Sequence, residues 1–265
     1  MRLIDLSGAT VDVHEDGLGG RGWARRLAPA GWDHGVTLGS HAAAILSSRL
    51  ALLAAILRDP NLTWLTSVDA LFAAENKLVQ YRAALAAALR VPPTLVSGSA
   101  NDLRDELGDR FVLKPLGPSH FQDEEGRQKV VYVREVRAAD LAGADLLDAP
   151  FLAQKIVSAS LHLRVVTVRD RAWVAELDAV GVPLDWREHR RAHRDFTASN
   201  RWPEVEQAAV RLAAALHVGY SSQDWVVDAD GPVFLDLNPG GQWLFLPEPV
   251  ATSVAQAIAD YLAEN

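Results

Sequence analysis

Residues 223–239 read Gln223-Asp224-Trp225-Val226-Val227-Asp228-Ala229-Asp230-Gly231-Pro232-Val233-Phe234-Leu235-Asp236-Leu237-Asn238-Pro239. Two β-rich runs flank an Asp-Gly pair, the signature of a hairpin closed by a tight turn. A turn centred on Asp230 sets Asp224 opposite Asp236, with Cβ atoms about 5 Å apart. Strand alternation then adds Asn238 to the face that carries both acids and sends Trp225, Val227, Val233, Leu235 and Leu237 to the other, apolar face. Opposed carboxylates repel unless a cation or a proton offsets them, and a set of hard oxygen donors suits Mg²⁺ better than zinc. Spacing alone leaves a second reading open, in which the polar end of the hairpin lies in water.

The rest of the chain sets the frame for this hairpin. At 265 residues it is long enough for a little under two domains of roughly 150 residues, and ample for a buried core. Hydrophobic residues make up 49% and charged ones 23%, which excludes wholesale disorder and fibrous architecture. With 26 basic and 34 acidic side chains the net charge is −8, so no global field gathers nucleic acid or anionic membrane, and an anion must be bound locally. There is no cysteine, which excludes disulfides, thiolate catalysis and thiolate metal sites and suits a reducing compartment. Residues 1–10 lack the basic start and apolar stretch of a secretory signal, so the cytoplasm is the expected location. Residues 42–57, the most hydrophobic window, fall short of the ~18–20 needed to span a bilayer and read as a buried helix.

Glycine-rich residues 14–40 read as loops between a short first strand and a helix over 41–59. The pattern predicts a second helix over 69–90, capped by Thr66 or Ser67 and stopped by Val91-Pro92-Pro93. Strands are expected over 94–97, 110–115, 129–135 and 151–157, with a helix over 138–147 and a polar loop over 117–127. A hairpin over 163–169 and 172–178, a helix over 202–217 and a C-terminal helix over 249–263 complete the reading.

Lysine is scarce, and Lys114 closes the apolar run Phe111-Val112-Leu113 ahead of Pro115 and a glycine-containing loop, where an ammonium can act as a point charge for phosphate. Residues 187–194 carry four arginines, a local anion patch suited to carboxylates, or else a solvated surface turn. His189 and His193 have the i, i+4 spacing of a zinc pair without a third ligand. Trp225 and Trp243 read as packing residues.

Taken together, these segments resemble the ATP-grasp superfamily, and within it the graspetide-type, microviridin-like ligases that crosslink ribosomal peptides. The resemblance covers most of the chain. Its residues are Trp64, then Ala74-Glu75-Asn76-Lys77-Leu78-Val79-Gln80, Val91-Pro92-Pro93-Thr94-Leu95-Val96, Val112-Leu113-Lys114-Pro115, Phe151-Leu152-Ala153-Gln154-Lys155-Ile156 and Leu163-Arg164-Val165. Further on come Asp185-Trp186-Arg187, similar to an acid-x-arginine motif, then Asp224, and Asp236-Leu237-Asn238-Pro239 followed by Gly241-Gln242-Trp243. Asp236 stands where the family usually has glutamate, Lys155 where glutamate is common, and His162 where many relatives have an acid.

The resemblance implies an α/β (α+β) ATP-grasp fold, with a shortened N-terminal lobe over 1–90, a central β-rich lobe over 91–157 and a C-terminal lobe over 158–265. It implies ATP and Mg²⁺ as cofactors. Lys77, Lys114, Gln154, Lys155 and Ile156 would meet the nucleotide, and Asp224, Asp236 and Asn238 the metal. Arg164, Arg187 and Asp185 are the catalytic and peptide-orienting candidates. The implied reaction forms ester or amide side-chain crosslinks through an acyl phosphate, on a ribosomal precursor peptide with acidic and Thr/Ser/Lys core residues. No nucleic-acid or membrane partner is expected, and a homodimer is left open. Two alternatives stand beside this reading: an intermolecular ligase that adds a free amino acid to an acidic acceptor, and an inactive domain that only binds a peptide or partner.

Overall fold

A computed structural model describes residues 2–4, 10–12, 20–25, 36–37, 39–116, 120–122, 127–130, 133–141, 151–188 and 191–264. The N-terminal part holds β1 (Arg2–Ile4), β2 (Thr10–Asp12), β3 (Gly20–Gly22), α1 (His41–Leu57), β4 (Leu62–Trp64), α2 (Val68–Glu75) and α3 (Lys77–Ala86). The middle part holds β5 (Thr94–Ser97), α4 (Ala100–Leu107), β6 (Arg110–Lys114), β7 (His120–Gln122), β8 (Gln128–Val130), β9 (Arg134–Arg137) and β10 (Phe151–Lys155). The C-terminal part holds β11 (Leu161–Val168), β12 (Arg171–Asp178), α5 (Ala192–Asp195), β13 (Thr197–Ser199), α6 (Pro203–Ala215), β14 (Tyr220–Asp228), β15 (Gly231–Asn238) and α7 (Glu248–Ala263).

Two antiparallel sheets organise the chain. The smaller runs β5-β10-β6-β9 and the larger β13-β12-β11-β14-β15. Leu103 and Leu107 of α4 pack with Phe111 and Ala153 on the smaller sheet. The larger is covered on both faces. On one side α6 buries Val205, Ala208, Ala209, Leu212 and Ala213, a stripe at helical spacing, against Leu163, Val165, Trp225, Phe234 and Leu237. On the other, α7 lays Val254, Ile258 and Tyr261 over Val166, Val168, Ala175 and Tyr220. Covered on both faces, β11 is mostly apolar, with buried His162, Arg164 and Thr167 among its leucines and valines.

The helix predicted over 69–90 is two helices. Asn76 leaves helical geometry at φ −80°, ψ 113°, and its side chain accepts hydrogen bonds from the Leu78 and Val79 amides at 2.9 and 3.3 Å. An asparagine that satisfies the free amides of a helix start competes with continuation of the helix before it. The break lets α3 cover the open edge of β15. Gln80, almost wholly buried, accepts from Leu237 N and donates to Leu237 O, while the Tyr81 hydroxyl donates to Leu235 O. An amide side chain thus stands in for a sixth strand. Asn76→Ala is expected to remove about 1 kcal/mol of cap stabilisation. In a chain of this size that lowers Tm by roughly 2–4 °C in a circular-dichroism melt.

Other expectations are adjusted. The apolar window 42–57 forms α1, yet Ile45, Leu50 and Leu52 are exposed and only Leu57 is buried, so the helix is not a buried one. Its alanines and leucines are spread around it rather than striped, with Ser47-Ser48-Arg49 in the middle, so hydropathy alone could not reveal which face, if any, is covered. The run over 129–135 divides between β8 and β9, and residues 131–132 lie outside the described residues. The helix expected over 138–147 begins as a 3-10 turn, Ala138–Leu141, and 142–150 lie outside the described residues. So does most of the loop stretch 14–40 and of the polar loop 117–127.

Candidate active site

Asp224 does pair with Asp236, by a route the spacing did not anticipate. The hairpin turn has two residues, Ala229 and Asp230, so that Asp228 pairs with Gly231 and Trp225 with Phe234. Continued unchanged, that register would put Leu235 opposite Asp224. A β-bulge between Asp224 and Trp225 absorbs Leu235 as an extra residue and brings Asp236 opposite Asp224. The apolar face changes accordingly: Phe234, not Val233 or Leu235, packs with Trp225, their ring centroids 5.4 Å apart. Val233 pairs instead with Val226 on the opposite face.

Three adjacent strands now carry one polar row, Arg164 of β11, Asp224 of β14 and Asp236 of β15. Ser222 and Asn238 form the next pair along the same face. The opposed acids are offset by protein cations. Arg164 Nη1 donates to Asp224 Oδ1 at 2.6 Å, and Lys77 Nζ, carried by the first residue of α3, donates to Asp236 Oδ1 at 2.6 Å. Lys114 enters from the end of β6 in the other sheet and is 9% exposed. Burial pulls its ammonium down to about 8; Asp236 and Asp224 favour the charged form, and Lys77 and Arg187 oppose it. Burial would raise the Asp236 carboxyl, but Lys77, Lys114 and Arg187 outweigh it and hold the group below the usual carboxylate range.

Arg187 and Asp185 also come together, although the fork faces inward. Asp185 is buried and accepts from Arg187 Nε at 2.7 Å, Nη2 at 2.8 Å and the Arg187 amide at 3.2 Å. Burial would lower the guanidinium, but Asp185, Asp224 and Asp236 raise it above its ordinary value. Two of the three Arg187 side-chain nitrogens are thus taken by Asp185, which fixes the guanidinium in place. His162 lies in the same face beyond Arg164; burial favours its neutral form, against the pull of Asp224 and Asp185.

The remaining candidates sit at the rim of the smaller sheet. Gln154 is buried and its amide donates to Thr94 Oγ1 at 2.9 Å, so its side chain faces the protein interior rather than a ligand. Lys155, exposed, ends β10, and Ile156 begins the link to β11. His189 lies outside the described residues, while His193 packs edge-on against Trp186 and Phe245, an aromatic contact in place of the zinc pair considered above. Trp225 and Trp243 are buried packing residues as expected.

Sequence reading missed Ser222, Tyr220 and Arg25, which frame the loop after β15. A Cβ on Gly241 would stand 2.6 Å from Ser222 Cβ and 3.1 Å from Arg164 Nη2, and one on Gly240 would stand 2.2 Å from Arg25 O. The paired glycines, legible as Gly240-Gly241, mark this close approach.

Among the described residues no group of three acidic or histidine side chains could hold a metal alone. Two carboxylates with Asn238, whose Oδ1 also accepts from the Gly240 amide at 2.9 Å, supply oxygen donors of the kind that fit Mg²⁺ shared with an anionic ligand. Asp224 and Asp236 each hold their protein cation through Oδ1, which leaves both Oδ2 atoms on the same face for such an ion.

No family model matches the chain. Its backbone superposes on macrocyclase MdnC from Microcystis aeruginosa MRC, solved bound with precursor peptide MdnA, at a TM-score of 0.77 and 18% identity, over 97% of this chain and 81% of that one. A Chryseobacterium gregarium RiPP-associated ATP-grasp ligase, solved with ADP and a leader and core peptide, matches at 0.78 and 21% identity over 91% and 75%. The chain has the ATP-grasp fold. Macrocyclase MdnB of the same Microcystis strain shows this fold too, at a TM-score of 0.70 and 25% identity over 97% of this chain and 80% of its own. A curated relative, the probable alpha-L-glutamate ligase of Xylella fastidiosa (strain M12), is 26% identical over 204 residues. The match covers 74% of this chain, which spans 65% of that relative's length. In the ATP-grasp fold of this chain, Lys77 and Lys114 reach the acidic row from α3 and from the smaller sheet.

Proposed function

We propose that the chain is an ATP-dependent ligase that joins a substrate carboxylate to a hydroxyl or amine within a ribosomal precursor peptide. The observation that carries this is the row Arg164, Asp224, Asp236 with Asn238 beside it, met by Lys77, Lys114 and Arg187. Such a site combines oxygen donors for a divalent ion with cations for phosphate. Bound at Asp224, Asp236 and Asn238, Mg²⁺ would neutralise charge on phosphate oxygens.

In the proposed reaction a substrate carboxylate oxygen attacks the γ-phosphorus of ATP, giving an acyl phosphate and ADP. A hydroxyl or amine then attacks the carbonyl carbon, losing its proton, and phosphate leaves. The chain's own residues position and stabilise charge. Lys77 and Lys114 offset phosphate charge from one side and Arg164 from the other. Arg187, fixed in rotamer by Asp185, points its remaining nitrogen at the reacting carboxylate. Lys155 and Ile156, with the Gln154 backbone, are proposed to line the nucleotide base where the chain passes between the sheets, and the three lobes 1–90, 91–157 and 158–265 are proposed as its units.

The test is mass spectrometry of a Thr/Ser- and Asp/Glu-rich precursor peptide incubated with the protein, ATP and Mg²⁺. Loss of one water with matching ADP release supports cyclisation. A gain in mass when free glutamate is present supports the intermolecular reading favoured by the curated relative. No ADP with any acidic peptide or amino acid contradicts a ligase.

Lys114 gives this proposal a pH signature. Free, its ammonium titrates at about 8. Phosphate contact favours the charged form, so nucleotide binding near pH 8 is expected to take up a fraction of a proton. Calorimetry in buffers of different ionisation enthalpy measures this uptake, which Lys114→Met should abolish along with most of the affinity. Stability moves the other way. Because the folded lysine loses its proton before the unfolded one does, the free protein's stability rises with pH from about 8 towards the ordinary lysine value.

A further inference from the structure

Next to Arg164, on the α7 side of the large sheet, lies a group of donors that the reaction above does not use. Trp23 follows β3, Tyr220 opens β14 and Trp243 lies in the loop after β15. Their rings form a triangle, with centroids 5.1 Å apart for Trp23–Tyr220, 5.5 Å for Trp23–Trp243 and 5.7 Å for Tyr220–Trp243. Arg25 joins them, its Cζ 5.7 Å from the Trp243 ring and its Nε donating to Gly240 O at 3.1 Å. The Tyr220 hydroxyl donates to Gly241 O at 2.8 Å and Arg164 Nη2 to Gln242 O at 3.3 Å. Three consecutive carbonyls are thereby taken.

What is left over is all of one kind. Trp23 Nε1, Arg25 Nη2, Arg164 Nε and Trp243 Nε1 are buried and have no acceptor among the described residues. A buried donor without a partner is costly, and the neighbouring Trp23, Arg25 and Trp243 each carry one with no acceptor among the described residues, while Arg164 belongs to the proposed phosphate site. The charges agree. Arg164 is offset by Asp224, whereas Arg25 forms no ion pair among the described residues. One cation without an ion pair among the described residues, beside neutral indole N–H groups, suits a singly charged carboxylate rather than a doubly charged phosphate. Both guanidinium groups act on the Tyr220 hydroxyl, which burial nonetheless keeps above its ordinary range.

We propose that Arg25, Trp23 and Trp243, beside Arg164, form a second anion subsite that holds a non-reacting carboxylate of the substrate. This rests on the ligase reading, and it adds that the substrate carries a carboxylate besides its reacting group. The carboxylate comes from a free acidic amino acid or from an acidic residue of a peptide, and the two sources separate by experiment.

The full-length protein, labelled with ¹⁵N at the tryptophan indoles, is titrated in turn with L-glutamate, a terminally capped acidic peptide, its neutral amide counterpart and inorganic phosphate. Trp23→Phe and Trp243→Phe, which keep a ring and lose the N–H, assign the two signals. Saturable movement of both with glutamate alone supports an amino-acid carboxylate, and movement with the capped peptide supports a peptide carboxylate. Arg25→Gln is expected to weaken either binding about tenfold or more. Movement that is equal with the neutral amide, larger with phosphate, or absent with every ligand overturns the subsite. Thermal shifts with Mg²⁺ and an ATP analogue, run on the same samples, keep the two claims apart. A nucleotide response without an indole response removes the subsite only, and an indole response without nucleotide binding removes the ligase reading and leaves the carboxylate site standing.

Discussion

Asp236→Asn is expected to abolish ADP formation, by about a thousandfold or more, and to lower the melting temperature of the free protein. The loss in turnover follows from removing one of two carboxylates that could share a metal with phosphate, where a deficit of about 4 kcal/mol in transition-state stabilisation is a thousandfold in rate. The effect on stability carries the more specific information. From the sequence, two acids face each other across a hairpin, and deleting one charge ought to relieve repulsion. In the folded chain Asp236 instead receives Lys77 Nζ at 2.6 Å and is held in its charged form by Lys77, Lys114 and Arg187. Asparagine keeps an acceptor for Lys77 but removes its counter-charge and leaves Lys114 with Asp224 alone. Asp236 is partly exposed, so the expected penalty is about 1–2 kcal/mol. Calorimetric melts of the metal-free variant check the sign: a melting temperature above wild type means that repulsion, not pairing, governs the hairpin. Acid should act in the same direction. Because the folded carboxyl sits below its unfolded value, the stability it contributes is present above the ordinary carboxylate range and is lost as pH falls through the folded value.

Arg187→Lys is expected to lower peptide condensation by roughly thirty- to a thousandfold, the loss of one charged and directional contact worth about 2–4 kcal/mol. Affinity for an ATP analogue should stay within about threefold. The geometry supplies the reason. Arg187 grips buried Asp185 through Nε and Nη2 and, in the proposed reaction, gives Nη1 to the substrate carboxylate, a division of labour that one ammonium cannot reproduce. Asp185→Asn should copy the defect in part, since it loosens the arginine without removing it. Single-turnover assays with peptide, beside nucleotide titrations, separate the two roles. Parallel loss of ATP binding in Arg187→Lys would place this residue on the phosphates and not on the carboxylate.

Much of the architecture was legible because its elements announce themselves locally. The stripe along α6 carries a period of its own, and the Asp230-Gly231 pair marks the hairpin to within a residue. The carboxylate pairing was legible only because two deviations cancel. The turn sits half a residue earlier than expected, and the bulge at Leu235 restores the register. Neither feature has a marker in the residues themselves, since a bulge is chosen by packing, here by Phe234 against Trp225 and Tyr81. The break at Asn76 was visible as a capping residue but was hidden inside an otherwise continuous helical run. Long-range placements were out of reach. Nothing near Trp23 or Arg25 indicates that the loop after β15, more than two hundred residues away in the chain, closes over them.

The central claim is that Asp224 and Asp236 bind a divalent ion together with nucleotide phosphates, and thermal shift measures this without knowledge of the peptide. Mg²⁺ alone and an ATP analogue alone should each raise the melting temperature slightly. Together they should raise it by clearly more than the sum, because each completes the other's site. In Asp236→Asn the excess should vanish. An equal shift from Mg²⁺ without nucleotide, or an undiminished joint shift in Asp236→Asn, contradicts the account.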